Sequence, residues 1–178
     1  MPSIQVLDRN FDIFIQEDKI LNRVKTLAES INHDYAGKPV VFVAVLNGSF
    51  MLASDLMKQI NLACRIEFIK ASSYAGIQST GSIKELIGLK GDIAGHHVVI
   101  IEDIIDTGLT IDYIINLLKE KNPLSIEVCS LLLKPEALKV DLQPKYIGFE
   151  VENKFLLGYG LDYDGFGRNL KHIYVEKT

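Results

Sequence analysis

Residues 98–110 read VVIIEDIIDTGLT, and the order of residue types in this segment indicates the fold class. Its first four residues are β-branched and apolar, which is typical of a strand buried on both faces of a parallel sheet. Two carboxylates follow, and then a turn with a third carboxylate and a glycine. Residues 111–118 continue with apolar side chains at helical spacing. The order of strand, acidic turn and helix predicts a βα unit of an α/β fold.

The flanking segments repeat this alternation of strands and helices. Helical spacing of apolar residues predicts helices over 17–31 and 51–60, and apolar or alternating runs predict strands at 39–46, 65–71, 97–101, 125–133, 146–151 and 173–175. Residues 72–95 are rich in glycine, serine and threonine and predict a long loop with some hairpin. We therefore expect an α/β fold with a mostly parallel twisted sheet flanked by helices, and ligands at the carboxyl ends of its strands.

Composition narrows the class of protein further. At 178 residues a single domain is expected. The net charge of −4 argues against nucleic acid as a partner, since such binders need a basic face. The longest apolar run, 40–46, is far shorter than the ~20 residues of a membrane span, and no leader of signal-peptide type is visible. Cys64 and Cys129 are too few for a disulfide scaffold. These features predict a cytoplasmic protein with no membrane partner.

The turn after the central strand has the chemistry of a phosphate site. Asp106 to Thr110 presents backbone N–H groups and two hydroxyls at the start of a helix, where anions bind. Burying Glu102 and Asp103 without partners would be costly, and hydroxyls or a hydrated cation are natural partners. Carboxylates for a polyol beside a phosphate site suit a sugar phosphate. The alternative is an ordinary surface turn, with Thr110 as the helix N-cap and Asp106 as a turn former.

The same residues resemble the phosphoribosyl pyrophosphate motif of the type I phosphoribosyltransferases, and more narrowly the hypoxanthine-guanine (6-oxopurine) phosphoribosyltransferases. The resemblance extends over residues 40–175 through LNGSF, SSYAGIQSTG, LLLK and KFLLGYGLDYDGFGRNL, in the family's order. It implies the type I phosphoribosyltransferase fold in a single domain over 1–178. The core would span about 35–150, and a small hood would form from 1–15 and 151–178.

The resemblance implies how the donor substrate would be held. Glu102 and Asp103 would bind the ribose hydroxyls, and Asp106 would also be the general acid/base near N7 of the purine. The 5′-phosphate would be held by the turn formed by Asp106, Thr107, Gly108, Leu109 and Thr110. The pyrophosphate would be held by Leu46, Asn47, Gly48 and Arg168. The family often has a non-proline cis peptide where this chain has Leu46–Asn47, and often a basic residue in place of Asn47.

The base and the metal would be held by residues nearer the C-terminus. By the same resemblance, Lys134 would donate to the 6-oxo oxygen of the purine, Phe155 would stack on the base, and Leu156 would offer backbone contacts to its edge. Asp162 would lie at the purine end of the site as a ligand of the cofactor Mg²⁺, with Glu102 and Asp103 as the other metal-binding acids. A mobile loop containing Ser73 and Tyr74 would close over the reacting centre.

The chemistry of these residue types agrees with the implied reaction. Displacing pyrophosphate from a ribosyl carbon creates a polyanionic leaving group, which Mg²⁺ and an arginine can neutralise. A carboxylate such as Asp106 can accept the proton that the purine loses. Lys134 only donates hydrogen bonds and therefore favours a carbonyl over an amino group at C6. We predict a purine salvage enzyme that transfers the 5-phosphoribosyl group from phosphoribosyl pyrophosphate to hypoxanthine and/or guanine, giving IMP or GMP and pyrophosphate.

Three alternatives remain open on the sequence. One is a phosphoribosyltransferase that prefers xanthine. The second is a non-catalytic regulator that binds phosphoribosyl pyrophosphate as a signal. The third is an aspartic protease, because Asp106-Thr107-Gly108 spells the triplet of that class, although the helical pattern directly after it argues against a mainly β fold. The apolar surplus and the resemblance imply a homodimer or homotetramer whose other partners are small molecules.

Overall fold

The structure is a computed structural model that describes residues 3–73, 83–89 and 91–177. Its elements in chain order are β1 (Ser3–Val6), β2 (Arg9–Ile15), α1 (Glu17–Asp34), β3 (Val40–Val45), α2 (Phe50–Met57), β4 (Cys64–Ser73), β5 (Ile83–Ile87), β6 (His97–Ile105), α3 (Leu109–Lys119), β7 (Ser125–Leu133), a 3₁₀ turn (Pro135–Ala137), β8 (Tyr146–Glu150), β9 (Leu156–Leu157) and β10 (Ile173–Glu176). None of the helices within these residues is both long and apolar enough to span a membrane.

The main sheet confirms the predicted α/β architecture. Its strand order is β5-β4-β3-β6-β7-β8, and all neighbours are parallel except β5, which runs antiparallel to β4 at one edge. Every residue of β3 is buried. Its alternate side chains pack with α1 and α2 on one face and with α3 on the other. Helices on both faces explain why the strand reads as a continuous apolar run.

A second, antiparallel sheet is built from the two ends of the described chain. Its order is β1-β2-β10-β9, and we call it the hood. Phe11, Leu157 and Tyr174 form a small core of its own. The prediction of a small hood from N- and C-terminal segments is confirmed, but the individual strands β1, β2 and β9 were not predicted. In β1 and β2 only one face packs, so polar and charged residues interrupt the apolar pattern.

Three local predictions need correction or extension. The central strand β6 does not end at residue 101, because it continues to pair with β7 through Ile105 and Leu133. Glu102 and Asp103 therefore lie inside the strand rather than after it. Helix α3 begins at Leu109 with Gly108 at the N-cap position, so Thr110 is not the N-cap. Part of the predicted loop 72–95 is the expected hairpin, since β5 pairs with β4 up to Ser73 and Ile83.

The end of α1 is fixed to the main sheet by a polar cluster around Asp34. The Nζ of Lys145 lies 2.9 Å from Asp34 Oδ2, and the hydroxyl of Tyr146 donates to the same oxygen at 2.7 Å. These two donors, with a smaller effect of His33, hold the pKa of Asp34 well below its usual range. A carboxyl whose pKa is lower in the folded state stabilises the fold while it is ionised.

We expect Asp34→Asn to lower the free energy of unfolding at pH 7 by about 1 kcal/mol, which corresponds to a Tm about 2–4 °C lower. Because the pKa of Asp34 is depressed, its contribution is present above the ordinary carboxyl pKa of about 4 and is lost as the pH falls through the folded-state value. Thermal unfolding followed by circular dichroism at pH 7 and at acid pH tests this. Asp141→Asn, at an exposed loop position, is the control. An equal loss of Tm at acid pH would contradict the assignment.

Candidate active site

A pocket of about 250 Å³ lies at the carboxyl ends of β3 and β6. These two strands are neighbours, and the chain continues from β3 to β4 on one side and reaches β6 on the other, so the pocket occupies the switch point of the sheet. The pocket brings together most of the residues predicted to bind the donor: Leu46, Asn47, Gly48, Glu102, Asp103, Asp106, Thr107, Gly108 and Thr110. Leu109 does not line it and is 47% exposed at the start of α3.

Glu102 and Asp103 form the acidic wall of this pocket. Glu102 is buried, and its Oε1 accepts a hydrogen bond from the backbone N–H of Asp103 at 3.1 Å. Burial raises the pKa of Glu102 well above its usual value, and the neighbouring Asp103 carboxyl adds to the rise. A buried carboxylate of this kind gains most from a ligand that brings hydroxyl donors or positive charge.

The loop after β3 packs directly against this acidic wall. A Cβ atom added to Gly48 would overlap with the carboxylate of Asp103, so a side chain here would have to displace that carboxylate or the loop. The Leu46–Asn47 peptide bond is cis, as expected. On its other side the carbonyl of Gly48 lies against Gly160, where a Cβ would overlap with it. The loop is therefore held between the core and the segment that follows β9.

Arg168 contacts Gly160, the residue that packs on the Gly48 carbonyl. Its Nη1 donates to the carbonyl of Gly160 at 2.7 Å, and its Nη2 lies 2.8 Å from Asp162 Oδ1. The second carboxylate oxygen of Asp162 accepts from the backbone N–H of Gly165 at 2.7 Å. Arg168 does not line the pocket, but Gly160 links its guanidinium to the loop predicted to hold pyrophosphate, since Gly160 packs on Gly48.

The turn between β6 and α3 is shaped to present backbone N–H groups. Gly108 has a left-handed φ of +79° and sits against Val140 and Leu138, which a Cβ atom would contact too closely. The carbonyl of Thr107 accepts from the backbone N–H of Lys139 at 2.9 Å, which anchors the turn. The first N–H groups of a helix lack intrahelical partners and favour an anion. The geometry fits the predicted 5′-phosphate site.

Lys134 joins the acid/base candidate to the end of the neighbouring strand. It follows β7, is buried, and its backbone N–H donates to the carbonyl of Ile105 at 2.9 Å. Its Nζ lies 2.9 Å from Asp106 Oδ2 and 3.3 Å from Asn153 Oδ1. The structure thus brings together two predicted residues and adds Asn153, which no motif or periodicity in the sequence marks.

Phe155 lies in an aromatic group of the hood. The residue is 39% exposed, and its ring meets the Tyr163 ring edge-on at 5.8 Å between centroids and lies 6.2 Å from the Phe11 ring. The guanidinium of Arg9 stands 5.5 Å from the Phe155 centroid and 4.5 Å from that of Tyr163. A half-exposed ring that packs against Phe11 and Tyr163 can stack its exposed face on a planar ligand. Arg9 and Tyr163 were not identified from the sequence, because their partners are distant along the chain.

Leu156 belongs to β9, which is the edge strand of the hood. Its side chain is buried, so only its backbone can meet a ligand. The carbonyl of Phe155 accepts from the N–H of Glu176 on β10 at 3.1 Å. Because backbone groups alternate along an antiparallel strand, the N–H and C=O of Leu156 point away from β10. This orientation suits the predicted backbone contacts to a base.

The three acids predicted to bind metal do not gather into one cluster. Within the parts of the chain that the structure describes, no three His, Cys, Asp or Glu side chains form a group that could hold a metal. Glu102 and Asp103 share the pocket, whereas Asp162 pairs with Arg168. Mg²⁺ prefers oxygen ligands and keeps several waters, so one or two carboxylates suffice. The donor chemistry at each place therefore fits a partly hydrated Mg²⁺.

Of the two residues assigned to the mobile loop, Ser73 is the last residue of β4. Tyr74 lies outside the described residues.

Comparison with known proteins decides the family. A model of the phosphoribosyl transferase domain matches residues 14–164. The chain belongs to this phosphoribosyltransferase family. A hypoxanthine-guanine phosphoribosyltransferase of Aquifex aeolicus is 39% identical over 173 residues, covering 96% of this chain and 97% of the relative.

Solved phosphoribosyltransferases also share the fold. A hypoxanthine phosphoribosyltransferase of Staphylococcus aureus is similar with a TM-score of 0.89 and 40% identity, over 93% of this chain and 91% of that one. The hypoxanthine phosphoribosyl transferase of Trypanosoma cruzi is similar with a TM-score of 0.88 and 35% identity, over 98% of this chain and 95% of that one. The predicted family and type I fold are confirmed. The protease interpretation is wrong, because Asp106-Thr107-Gly108 is the βα turn of this parallel sheet.

We expect Gly48→Ala to lower kcat/KM for the phosphoribosyl donor about tenfold or more, since the added methyl must displace either the Asp103 carboxylate or the loop. Steady-state phosphoribosyltransferase kinetics test this. Gly37→Ala is the matched control, because a Cβ at Gly37 meets nothing within 4 Å. At Gly37 (φ +72°) the added side chain is expected to cost about 1 kcal/mol of stability and leave the kinetics unchanged. Wild-type kinetics for Gly48→Ala would show that the contact with Asp103 is dispensable.

Proposed function

We propose that this protein transfers the 5-phosphoribosyl group from phosphoribosyl pyrophosphate to hypoxanthine or guanine, releasing pyrophosphate, in purine salvage. The observation that carries the proposal is the pairing of Lys134 Nζ with Asp106 Oδ2 at 2.9 Å, at the edge of the phosphate pocket. Lys134 would donate to a base carbonyl, and the carboxylate beside it, Asp106, would take up a proton. The relatives named for hypoxanthine or hypoxanthine-guanine transfer support the same choice.

The pocket at the switch point would bind the phosphoribosyl donor. The N–H groups of the 106–110 turn would hold the 5′-phosphate, and Glu102 and Asp103 would accept hydrogen bonds from the ribose hydroxyls. The 46–48 loop and Arg168 would hold the pyrophosphate. Ligand hydroxyls would supply the donors that the buried carboxyl of Glu102 needs.

The reaction would break the bond between the ribosyl carbon and pyrophosphate and form a bond from that carbon to a purine nitrogen. Asp106 would take up the proton that the purine ring loses, and Lys134 would stabilise the ionised carboxylate before the transfer. When bound by Glu102, Asp103 or Asp162, Mg²⁺ would neutralise charge on the leaving pyrophosphate. The mobile loop predicted to include Ser73 and Tyr74 would exclude water from the reacting carbon when it closes.

Base recognition would come from Lys134, just after β7 of the main sheet, and from Phe155 and Leu156 of the hood. Lys134 can only donate, so it pairs with a 6-oxo group and would leave a 6-amino group without an acceptor. Phe155 would stack on the purine, and the outward backbone groups of Leu156 would contact its edge. Asp162 would lie at the same end, next to Arg168.

We extend the proposal to organisation and location. Residues 1–178 would act as one domain with a core of about 35–150 and a hood from 1–15 and 151–178. The two cysteines that the structure describes are free thiols, which fits a reducing cytoplasm. We propose a homodimer or homotetramer; for the Trypanosoma cruzi relative, the C-terminal region has a role in oligomeric state and enzymatic activity.

We expect turnover with phosphoribosyl pyrophosphate and hypoxanthine or guanine in an ultraviolet absorbance assay. Adenine should be disfavoured by about two orders of magnitude or more in kcat/KM, because its 6-amino group offers Lys134 no acceptor on the base. Chelation of Mg²⁺ should abolish turnover, and added Mg²⁺ should restore it.

Two other outcomes would each change the assignment. Highest kcat/KM with xanthine would make the protein a xanthine-preferring enzyme. Binding of phosphoribosyl pyrophosphate by calorimetry, without turnover of any 6-oxopurine, would favour a regulator and refute the proposed reaction.

We expect Asp106→Asn to lower kcat about 10²-fold or more while KM for the donor changes much less, since an amide cannot accept the purine proton. Rapid-mixing and steady-state assays measure the two effects. Glu136→Gln is the control, because Glu136 is an exposed carboxylate in the 3₁₀ turn just after Lys134. An unchanged kcat in Asp106→Asn would remove this residue from its acid/base role.

A further inference from the structure

The ammonium of Lys134 has two acceptors in the structure. One is the Asp106 carboxylate at 2.9 Å, and the other is Asn153 Oδ1 at 3.3 Å. An ammonium has three N–H groups and accepts nothing, so the amide atom that faces it is the oxygen. When two of the three N–H groups are directed to fixed acceptors, tetrahedral geometry fixes the direction of the third. Lysine otherwise has a flexible four-carbon stem, and Asp106 alone would leave the ammonium free to rotate.

Asn153 is itself held from both sides. It is the middle residue of a three-residue turn, closed by the N–H of Lys154 donating to the carbonyl of Glu152 at 2.7 Å. Just before the turn, the N–H of Val151 donates to Leu133 of β7 at 2.8 Å. Just after it, the carbonyl of Phe155 is bound to β10. Asn153 therefore lies where the main sheet passes into the hood.

This placement links the two groups assigned to the base. Lys134 follows β7 of the main sheet, whereas Phe155 lies two residues after Asn153 and packs in the hood. The hydrogen bond from Lys134 to Asn153 joins them across the boundary between the two sheets. A purine that stacks on Phe155 and accepts from Lys134 needs both groups at a set separation.

We propose that Asn153 is a positioning residue that directs the free N–H of Lys134 toward the 6-oxo group of the purine and sets its place relative to Phe155. The inference rests on the proposed role of Lys134. A neutral amide is suited to this task because it supplies an acceptor without placing a second anion beside Asp106. Asn153 acts through Lys134 and has no part in the proton transfer.

We expect Asn153→Ala to raise KM for hypoxanthine roughly three- to tenfold, the fold-change of an ordinary hydrogen bond, because Asn153 is exposed and its contact with Lys134 is long at 3.3 Å. The value of kcat should change less than about twofold and KM for phosphoribosyl pyrophosphate should stay unchanged, since the donor pocket is not touched. Asn153→Asp keeps an acceptor and should recover most of the loss in KM for hypoxanthine, whereas the second anion that it places beside Asp106 should shift the pH dependence of kcat. Lys154→Ala, at the exposed neighbour in the same turn, is the control and should behave as wild type.

A double-mutant cycle separates positioning from direct contact. Lys134→Met keeps the packing of the buried stem and removes the donor. If Asn153 acts through Lys134, then Asn153→Ala in the Lys134→Met background should leave kcat/KM for hypoxanthine unchanged. The same loss in both backgrounds would mean that Asn153 contacts the purine directly, and it would overturn the inference.

The cycle also distinguishes this inference from the proposed function. If Lys134→Met leaves the ranking of hypoxanthine, guanine and adenine unaltered, the proposed role of Lys134 fails. If Lys134→Met changes that ranking while Asn153→Ala leaves KM for hypoxanthine at the wild-type value, only the role of Asn153 fails. Thermal unfolding of each variant shows whether the fold is retained.

Discussion

The parallel pairing of β3 with β6 is the constraint on which the site depends. Val43 lies opposite Ile100 in this register, so both strands deliver their carboxyl ends to the same edge of the sheet. The loop after β3 then meets the acids of β6, and contact between Gly48 and Asp103 leaves no space for a side chain between them. The pairing of β6 with β7 adds Lys134 beside Asp106. Apolar burial in the sheet thus positions the polar groups of the site, including the neighbouring carboxylates of Glu102 and Asp103, which repel one another.

An acidic protein can bind a polyanion when the attraction is local. The net charge of −4 describes the whole surface and speaks against nucleic acid as a partner. At the proposed site, phosphates would instead meet the N–H groups of a helix start and the guanidinium of Arg168. Several acids have other tasks: Asp103 faces the pocket, Asp106 pairs with Lys134, and Asp162 pairs with Arg168. The negative net charge of the protein is therefore no argument against a polyanionic substrate.

The core strands and the donor pocket could be predicted because their signals are local. Continuous apolar runs marked β3 and β6, and the segment 98–110 marked the pocket. Prediction failed where a feature depends on distant partners. The end of β6 is set by pairing with Leu133. The hood strands β1, β2 and β9 depend on one-sided packing between chain ends. The place of Asn153 is set by a turn between the two sheets. Arg9 and Tyr163 likewise meet only after the hood has formed.

The origin of the hood has a consequence for folding and local stability. Ile13 pairs with Tyr174, so this sheet forms only after almost the whole chain has been brought together, whereas β6, α3 and β7 follow one another directly. Loop-closure entropy slows the formation of such long-range pairs, and because the core of the hood is small we expect it to open at a lower free energy than the main sheet. In amide hydrogen exchange, the backbone N–H groups of β3 and β6, beside the pocket, should stay protected longer than those of the strands beside Phe155. The part of the proposed active site in the main sheet would then stay folded while the part in the hood opens transiently.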